Sequence, residues 1–259
     1  MDTAQILPDL KTVNCRGSFL QDFLEHFPYP CIVKDRQDNK YIMANYHQIS
    51  FMGLQSMKDL IGLTKYDIWL DPTVQKRKNL TKTIISNHIK SIQIDEKVHM
   101  RCLVTGRSES CGRLVLDDKG RVHFENFIKT GIPNHEYKII AFLTVFLDFT
   151  HQIPLYKLFR LYQEFYPTKE AVQRFLKHFN IESYFDPLAP LTQKEIEVLI
   201  SMREDSRCKI IANKFGCSVP TASNHISHIN GKLTSGTLHD VLTKLRTISE
   251  NAQSTHLCI

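Results

Sequence analysis

A run of small polar residues between Ser218 and Lys232 offers the most chemistry in this chain. At 3.6 residues per helical turn, Ala222, Ile226, Ile229 and Leu233 fall on one face, while Pro220, Asn224, Ser227 and Gly231 fall opposite, flanked by Ser223 and His228. An asparagine amide can hydrogen-bond adenine in two places, and a serine hydroxyl can bond either partner of a base pair. The outer face therefore suits a helix in the major groove of DNA. A solvated helix face fits the same periodicity equally well. His225 and His228, one turn apart, make an incomplete zinc site, and no metal is expected. The seven cysteines are scattered and never spaced C-x-x-C, so they are expected as reduced thiols. No nucleotide-binding glycine motif is present and little chain is left for a kinase domain; no catalytic residue is assigned and no enzyme is expected.

The elements that must hold this helix are legible around it. Thr192 and Glu195 form a capping box ahead of Ile196, Leu199 and Ile200, which starts a first helix. Ser206 is expected to cap a second, with Ile211, Ala212 and Phe215 inward and Gly216 at its end. Ser218 caps the third only two residues later, which is the short glycine-bearing connection of a helix-turn-helix. Upstream, Leu155 to Phe179 carries an aromatic stripe at helical spacing, broken at Pro167. It suits two amphipathic helices that either pack on a neighbouring domain or join two copies of the chain.

Earlier still, Phe19, Leu20, Phe23, Leu24 and Phe27 mark a lead-in helix stopped by Pro28 and Pro30. CIVKD and KYIMAN, joined by RQDN, read as a hairpin. Residues 45 to 88 look helical in pieces. LVLD, VHFENFIK and IIAFLTVFLDFT then give three more strands, which makes an α+β domain closing at Thr150. The chain has 259 residues, enough for two domains, and a net charge of +6. That charge is spread thinly, about +3 over residues 1–150 and about +3 over 191–249. With no apolar run long enough to span a bilayer and no secretory signal pattern, the expected location is the cytoplasm, away from membranes.

The phrases "CIVKDRQDNKYIMANYHQISFMGL", "DLIGLTKYDIW" and "DDKGRVHFENFIKTGIP" with "AFLTVFLDFT" resemble, in order, the PAS domain family over residues 28–150. The stretch from Lys97 to Cys111 departs from that pattern. The resemblance implies an antiparallel sheet with flanking helices, commonly enclosing a ligand pocket. Asn14-Cys15-Arg16 and Phe19-Leu20-Gln21 nearly spell the flavin-reactive motif of the LOV subfamily, but in that subfamily the motif follows the first hairpin. There this chain reads GLTKYDIW, without a cysteine. The flavin-bonding glutamine of the last LOV strand is matched by Phe146, and Asn126 alone resembles a flavin-binding asparagine. A flavin photosensor is not expected. His47 and His88 stand near haem-ligating places, but with twelve histidines in the chain surface or packed roles are the stronger reading. The cofactor is left unknown.

Leu191, Thr192, Lys194, Glu195, Glu197, Val198, Leu199, Lys209, Ile211, Ala212, Ser218, Thr221, His225, Ile229, Lys232 and Leu233 match the pattern of the LuxR-type helix-turn-helix family. This resemblance implies an all-α four-helix DNA-binding domain whose last helix, about Leu238 to Ile248, supports dimerisation. Thr221 and Lys232 match positions near the DNA backbone, and Lys209 sits where a lysine reaches phosphate. The candidate DNA-binding residues are thus Lys209, Ser218, Thr221, Ser223, Asn224, Ser227, His228 and Lys232. Ala222 and Ser223 depart from the family's valine and basic residue, which lowers the phosphate attraction expected.

The expected organisation is a lead-in helix in residues 1–27, a PAS sensor domain at 28–150, linker helices at 151–187, the helix-turn-helix domain at 188–249 and a tail at 250–259. The expected function is a signal-responsive transcriptional regulator that binds double-stranded DNA as a homodimer, with a small-molecule ligand in the PAS domain. The alternative is a protein–protein signalling adaptor whose helix-turn-helix no longer binds DNA.

Overall fold

The computed structural model describes residues 16–254, with side chains from Phe19 to Arg246. Cys15, the rest of residues 1–15 and the tail beyond residue 254 lie outside the described residues. The chain divides into two units, the first ending at Phe149 and the second starting at Thr150.

The first unit is built on a five-stranded antiparallel sheet in the order β2-β1-β5-β4-β3. The strands are β1 (Cys31–Asp35), β2 (Tyr41–Ala44), β3 (Glu109–Leu116), β4 (Val122–Pro133) and β5 (Ile139–Asp148). Helix α1 (Arg16–His26) covers the outer face, where Leu20, Leu24 and Phe27 meet Cys31, Val33, Ala141 and Leu143. Phe19 and Phe23 remain exposed. On the inner face lie α2 (Tyr46–Phe51), α3 (Lys65–Trp69), α4 (Pro72–Arg77) and α5 (Lys82–Thr105), closing a core of Ile32, Tyr41, Trp69, Phe127, Phe142 and Phe146 among others.

One residue ties the entry of this unit together. Asn45 is buried, and its side-chain oxygen accepts from the backbone N–H of Cys31 and of Gln48, each at 3.1 Å. Its amide donates to the carbonyls of Phe27 (3.1 Å) and Tyr29 (2.7 Å). A single side chain thus N-caps α2 and fixes the proline-bearing segment that can form little regular structure of its own.

Helix α5 corrects the expectation of helical pieces that stop near residue 88. It runs for 24 residues and ends at Gly106, which adopts φ +64°. Its buried side, Ile84, His88, Ser91, Asp95, Val98 and Cys102, has helical spacing but is half polar, so the apolar period fades in the sequence. Asn87 replaces a strand neighbour, accepting from Leu116 N–H (2.8 Å) and donating to Leu114 carbonyl (3.1 Å) on edge strand β3.

The second unit is helical: α6 (Leu155–Phe165), α7 (Thr168–His178), α8 (Gln193–Glu204), α9 (Cys208–Phe215), α10 (Val219–Gly231) and α11 (Leu238–Ser254). The aromatic stripe forms the seam between α6 and α7. Phe159 and Phe175 rings meet edge-on at 5.2 Å, Phe175 meets Phe179 at 5.0 Å, and the buried Tyr162 hydroxyl bonds His178 Nδ1 at 2.8 Å. Both helices also pack against α8, in the same unit as the helix-turn-helix. The segment after α7 is stitched to the chain following α10. Phe185 bridges Leu233, Asp186 N–H donates to Lys232 carbonyl (2.9 Å) and Thr234 N–H donates to Tyr184 carbonyl (2.9 Å).

Candidate functional site

The turn between α9 and α10 is made by Gly216, whose φ of +60° an L side chain rarely adopts. Helix α9 begins at Cys208 with Arg207, not Ser206, in the capping position. Asp205 fixes Arg207 there: its carboxylate accepts the Arg207 N–H at 2.9 Å and pairs with the guanidinium, and no side chain caps the first turn of α9. Ser218 does cap α10, accepting from Thr221 N–H at 3.2 Å and sharing a 2.8 Å hydroxyl contact with Thr221. Ala222 and Ile229 of α10 are fully buried, against α8 and α9. Thr221, Ser223, Asn224, Ser227 and His228 are exposed on the other side, His225 is half-buried, and Lys209 is exposed on α9.

Lys232 is placed differently from the other candidates. Its ammonium donates to the buried Glu195 carboxylate (2.7 Å) and to Pro190 carbonyl (3.1 Å). Glu195 in turn completes the α8 capping box with Thr192. Burial raises the Glu195 carboxyl, but the bonds from Lys232 and Thr192 outweigh it and hold the group below its ordinary value. The lysine therefore fastens the end of α10 to the start of α8. Lys232→Ala is expected to cost about 1–3 kcal/mol of stability, by leaving a buried carboxylate without its cation. Urea unfolding of the full chain followed by circular dichroism checks this; unchanged stability would return Lys232 to a role at the surface alone.

The first unit holds a second polar centre, inside its core. Strand alternation turns Lys34 of β1, Glu125 and Lys129 of β4 and Arg113 of β3 inward. Asp95 of α5 lies 2.8 Å from Lys129 Nζ, 3.2 Å from Lys65 Nζ and 3.7 Å from Lys34 Nζ. Arg113 pairs with Glu125, donates to Ser91 carbonyl at 3.2 Å, and lies over the Phe127 ring at 4.6 Å. Burial opposes ionisation of Asp95, yet the lysines and Arg113 together keep its carboxyl well below the usual range. Burial, with the neighbouring cations, pushes Lys34 well below the ordinary lysine value and Lys65 down to about 8. Burial also drops His88 to about 3, where its neutral ring stacks on Trp69 with 3.5 Å between centroids.

Beside this cluster is a cavity of ≈ 30 Å³ whose wall includes Lys65, Arg113, Gln48, Trp69 and Phe146. Asn126 lies on the opposite sheet face from Glu125, Phe127 and Lys129, so its resemblance to a flavin-binding asparagine does not place it at the cavity. His47 is exposed and His88 is packed against Trp69. The sequence reading missed the buried charges. Their one signal was Lys34, in phase with the inward Ile32, inside an apolar strand.

Comparison with known proteins bears on both units. Residues 189–244 match the family model of bacterial regulatory proteins of the LuxR family. A search of curated proteins gives no significant match. Among solved structures, VqmA of Vibrio cholerae in complex with ligand and DNA is 19% identical, with 90% of this chain and 88% of that chain covered, at a TM-score of 0.42. A phage VqmA–DPO complex gives 18% over the same shares, at 0.41. The PAS domain of Bordetella pertussis BvgS gives 11% over 51% of this chain and 84% of its own, at 0.33. Among the described residues no helix is long and apolar enough to cross a membrane. The first unit is thus an α+β unit on a five-stranded antiparallel sheet, and the second carries, at residues 189–244, a match to the LuxR family of bacterial regulatory proteins.

Proposed function

We propose that the chain is a signal-responsive transcriptional regulator in which α10 enters the major groove of DNA and the first unit senses a small molecule. The observation that carries it is the exposed row Ser223, Asn224, Ser227 and His228, set opposite the buried Ala222 and Ile229 on a helix of the LuxR type. Asn224 offers a donor and an acceptor to a base edge, and Lys209 supplies charge to phosphate. Ser218 and Thr221 flank the helix start, where backbone N–H groups favour an anion. A single helix-turn-helix reads few base pairs, so useful affinity comes from a homodimer on two half-sites.

The consequences of the two roles separate. Asn224→Ala is expected to cost about 1–3 kcal/mol on the preferred site and to relax discrimination at one base pair. Lys209→Ala is expected to weaken all sequences alike and to flatten the log-affinity against log-salt slope by about one unit. Selection of bound fragments from random DNA, followed by titration at several salt concentrations, measures both. A folded Asn224→Ala protein with its full sequence preference would remove α10 from the groove.

One observation favours a second reading, the signalling adaptor. The exposed face of α10 carries no lysine or arginine, and Val219 at its start is 46% exposed. A protein that retains no DNA fragment even at low salt would belong to that class.

A further inference from the structure

The cavity of the first unit is bordered by more cations than its carboxylates balance. Four buried cations, Lys34, Lys65, Lys129 and Arg113, stand among two buried carboxylates, Asp95 and Glu125. Burial and like charge drive Lys34 toward its neutral form, and even then three cations face two anions. An uncompensated charge inside a protein is costly, and a fold keeps one where something else neutralises it.

The surplus has an address. Glu125 is engaged by Arg113, and Lys129 lies 2.8 Å from the Asp95 carboxylate. Lys65, from α3, lies 3.2 Å from Asp95 Oδ2, and that one contact uses at most one of the three N–H groups of its ammonium. Lys65 and Arg113 line the cavity together with Gln48, Ser91 and the Arg113-paired Glu125, and Trp69, Phe146, Ile32 and Met52 supply its apolar surface. A volume of ≈ 30 Å³ holds about two water-sized groups, the size of a carboxylate head. A surplus of positive charge matches an anion.

We propose that this cavity binds a small organic carboxylate, whose oxygens are taken by the Lys65 ammonium beside Arg113 and whose short carbon chain lies against Trp69 and Phe146. The assignment deepens the sensor reading given above and rests on it. Charge-assisted hydrogen bonds in a dry site supply the affinity, and the neighbouring aromatic faces exclude water.

Formate and acetate, each paired with its amide, are the probes, with sodium chloride and inorganic phosphate at matched ionic strength. Thermal unfolding and calorimetric titration of the full chain are the readouts. At least one acid is expected to bind about tenfold or more tightly than its amide, a difference the unaltered protein reports whether or not any variant folds. Lys65→Met is expected to erase that preference, and Lys65→Arg to retain part of it. Equal binding of acids and amides would overturn the anionic assignment while leaving a small-molecule sensor in place. Binding of phosphate or chloride with no acid preference would overturn the carboxylate class, as would a lack of response to every probe. DNA retention, scored in the same samples, tests the regulator reading separately.

Discussion

Replacing Asp95 by alanine is expected to cost the first unit about 3–5 kcal/mol, because it strands three lysines that share one buried carboxylate. The chain has one tryptophan, Trp69, and it belongs to this core, so urea unfolding followed by its fluorescence reads this unit. The loss should depend on pH in a defined direction. A buried lysine without its carboxylate loses its proton at lower pH in the folded state than in the unfolded one. Folding then releases protons, and stability rises with pH. The variant should recover stability between about pH 7 and pH 10 as the lysines become neutral. In the unaltered protein, the lowered Asp95 carboxyl adds stability above its unfolded value near 3.8, lost as pH falls through the lower folded value. A variant as stable as the parent at pH 7 would show that the lysines reach water by another route.

The second large effect is expected at Asn45. Alanine there removes four hydrogen bonds together, two accepted and two donated, from a fully buried site. At roughly 1 kcal/mol for each neutral bond, the loss is about 4 kcal/mol. Asn45→Asp keeps the oxygen that accepts from Cys31 and Gln48 but loses both donors to Phe27 and Tyr29 carbonyls, and buries a charge. It should therefore not rescue the site. Hydrogen exchange at Cys31 and Gln48 amides, with Trp69 fluorescence for global stability, separates local fraying from unfolding. If alanine costs under about 1 kcal/mol, the proline segment is held by other contacts.

Which parts of this were readable follows from which residues carry period. The hairpin from Cys31 to Ala44 and the closing strand from Ile139 to Asp148 alternate or run apolar between polar turns, and the capping residues Thr192 and Ser218 announce their helices directly. Helix α5 is obscured because Asn87, His88, Ser91, Asp95 and His99 occupy its inward side, where sequence reasoning looks for apolar residues. The same choice hides the cavity. In β4, Glu125, Phe127 and Lys129 point inward while Phe124, Asn126 and Ile128 alternate with them, so hydrophobicity does not say which set faces the core. Pairing of Lys129 and Lys34 with Asp95 joins residues up to 61 positions apart, which no local pattern records. Lys232 belongs to the family pattern, but only the fold shows Glu195 waiting 37 residues upstream.

The stitching of Tyr184, Phe185 and Asp186 to Lys232, Leu233 and Thr234 has a mechanical consequence. The segment that leaves α7 and the segment that leaves α10 are joined to each other by backbone hydrogen bonds. If α10 enters a groove as proposed, a displacement imposed on α6 and α7 would carry the helix-turn-helix as one body and leave the fit of α10 within that groove unchanged. A switch of this build acts as a caliper. In a dimer, it would set the distance between two heads, so the signal should alter which half-site spacing is tolerated, and leave the preferred bases within each half-site unchanged.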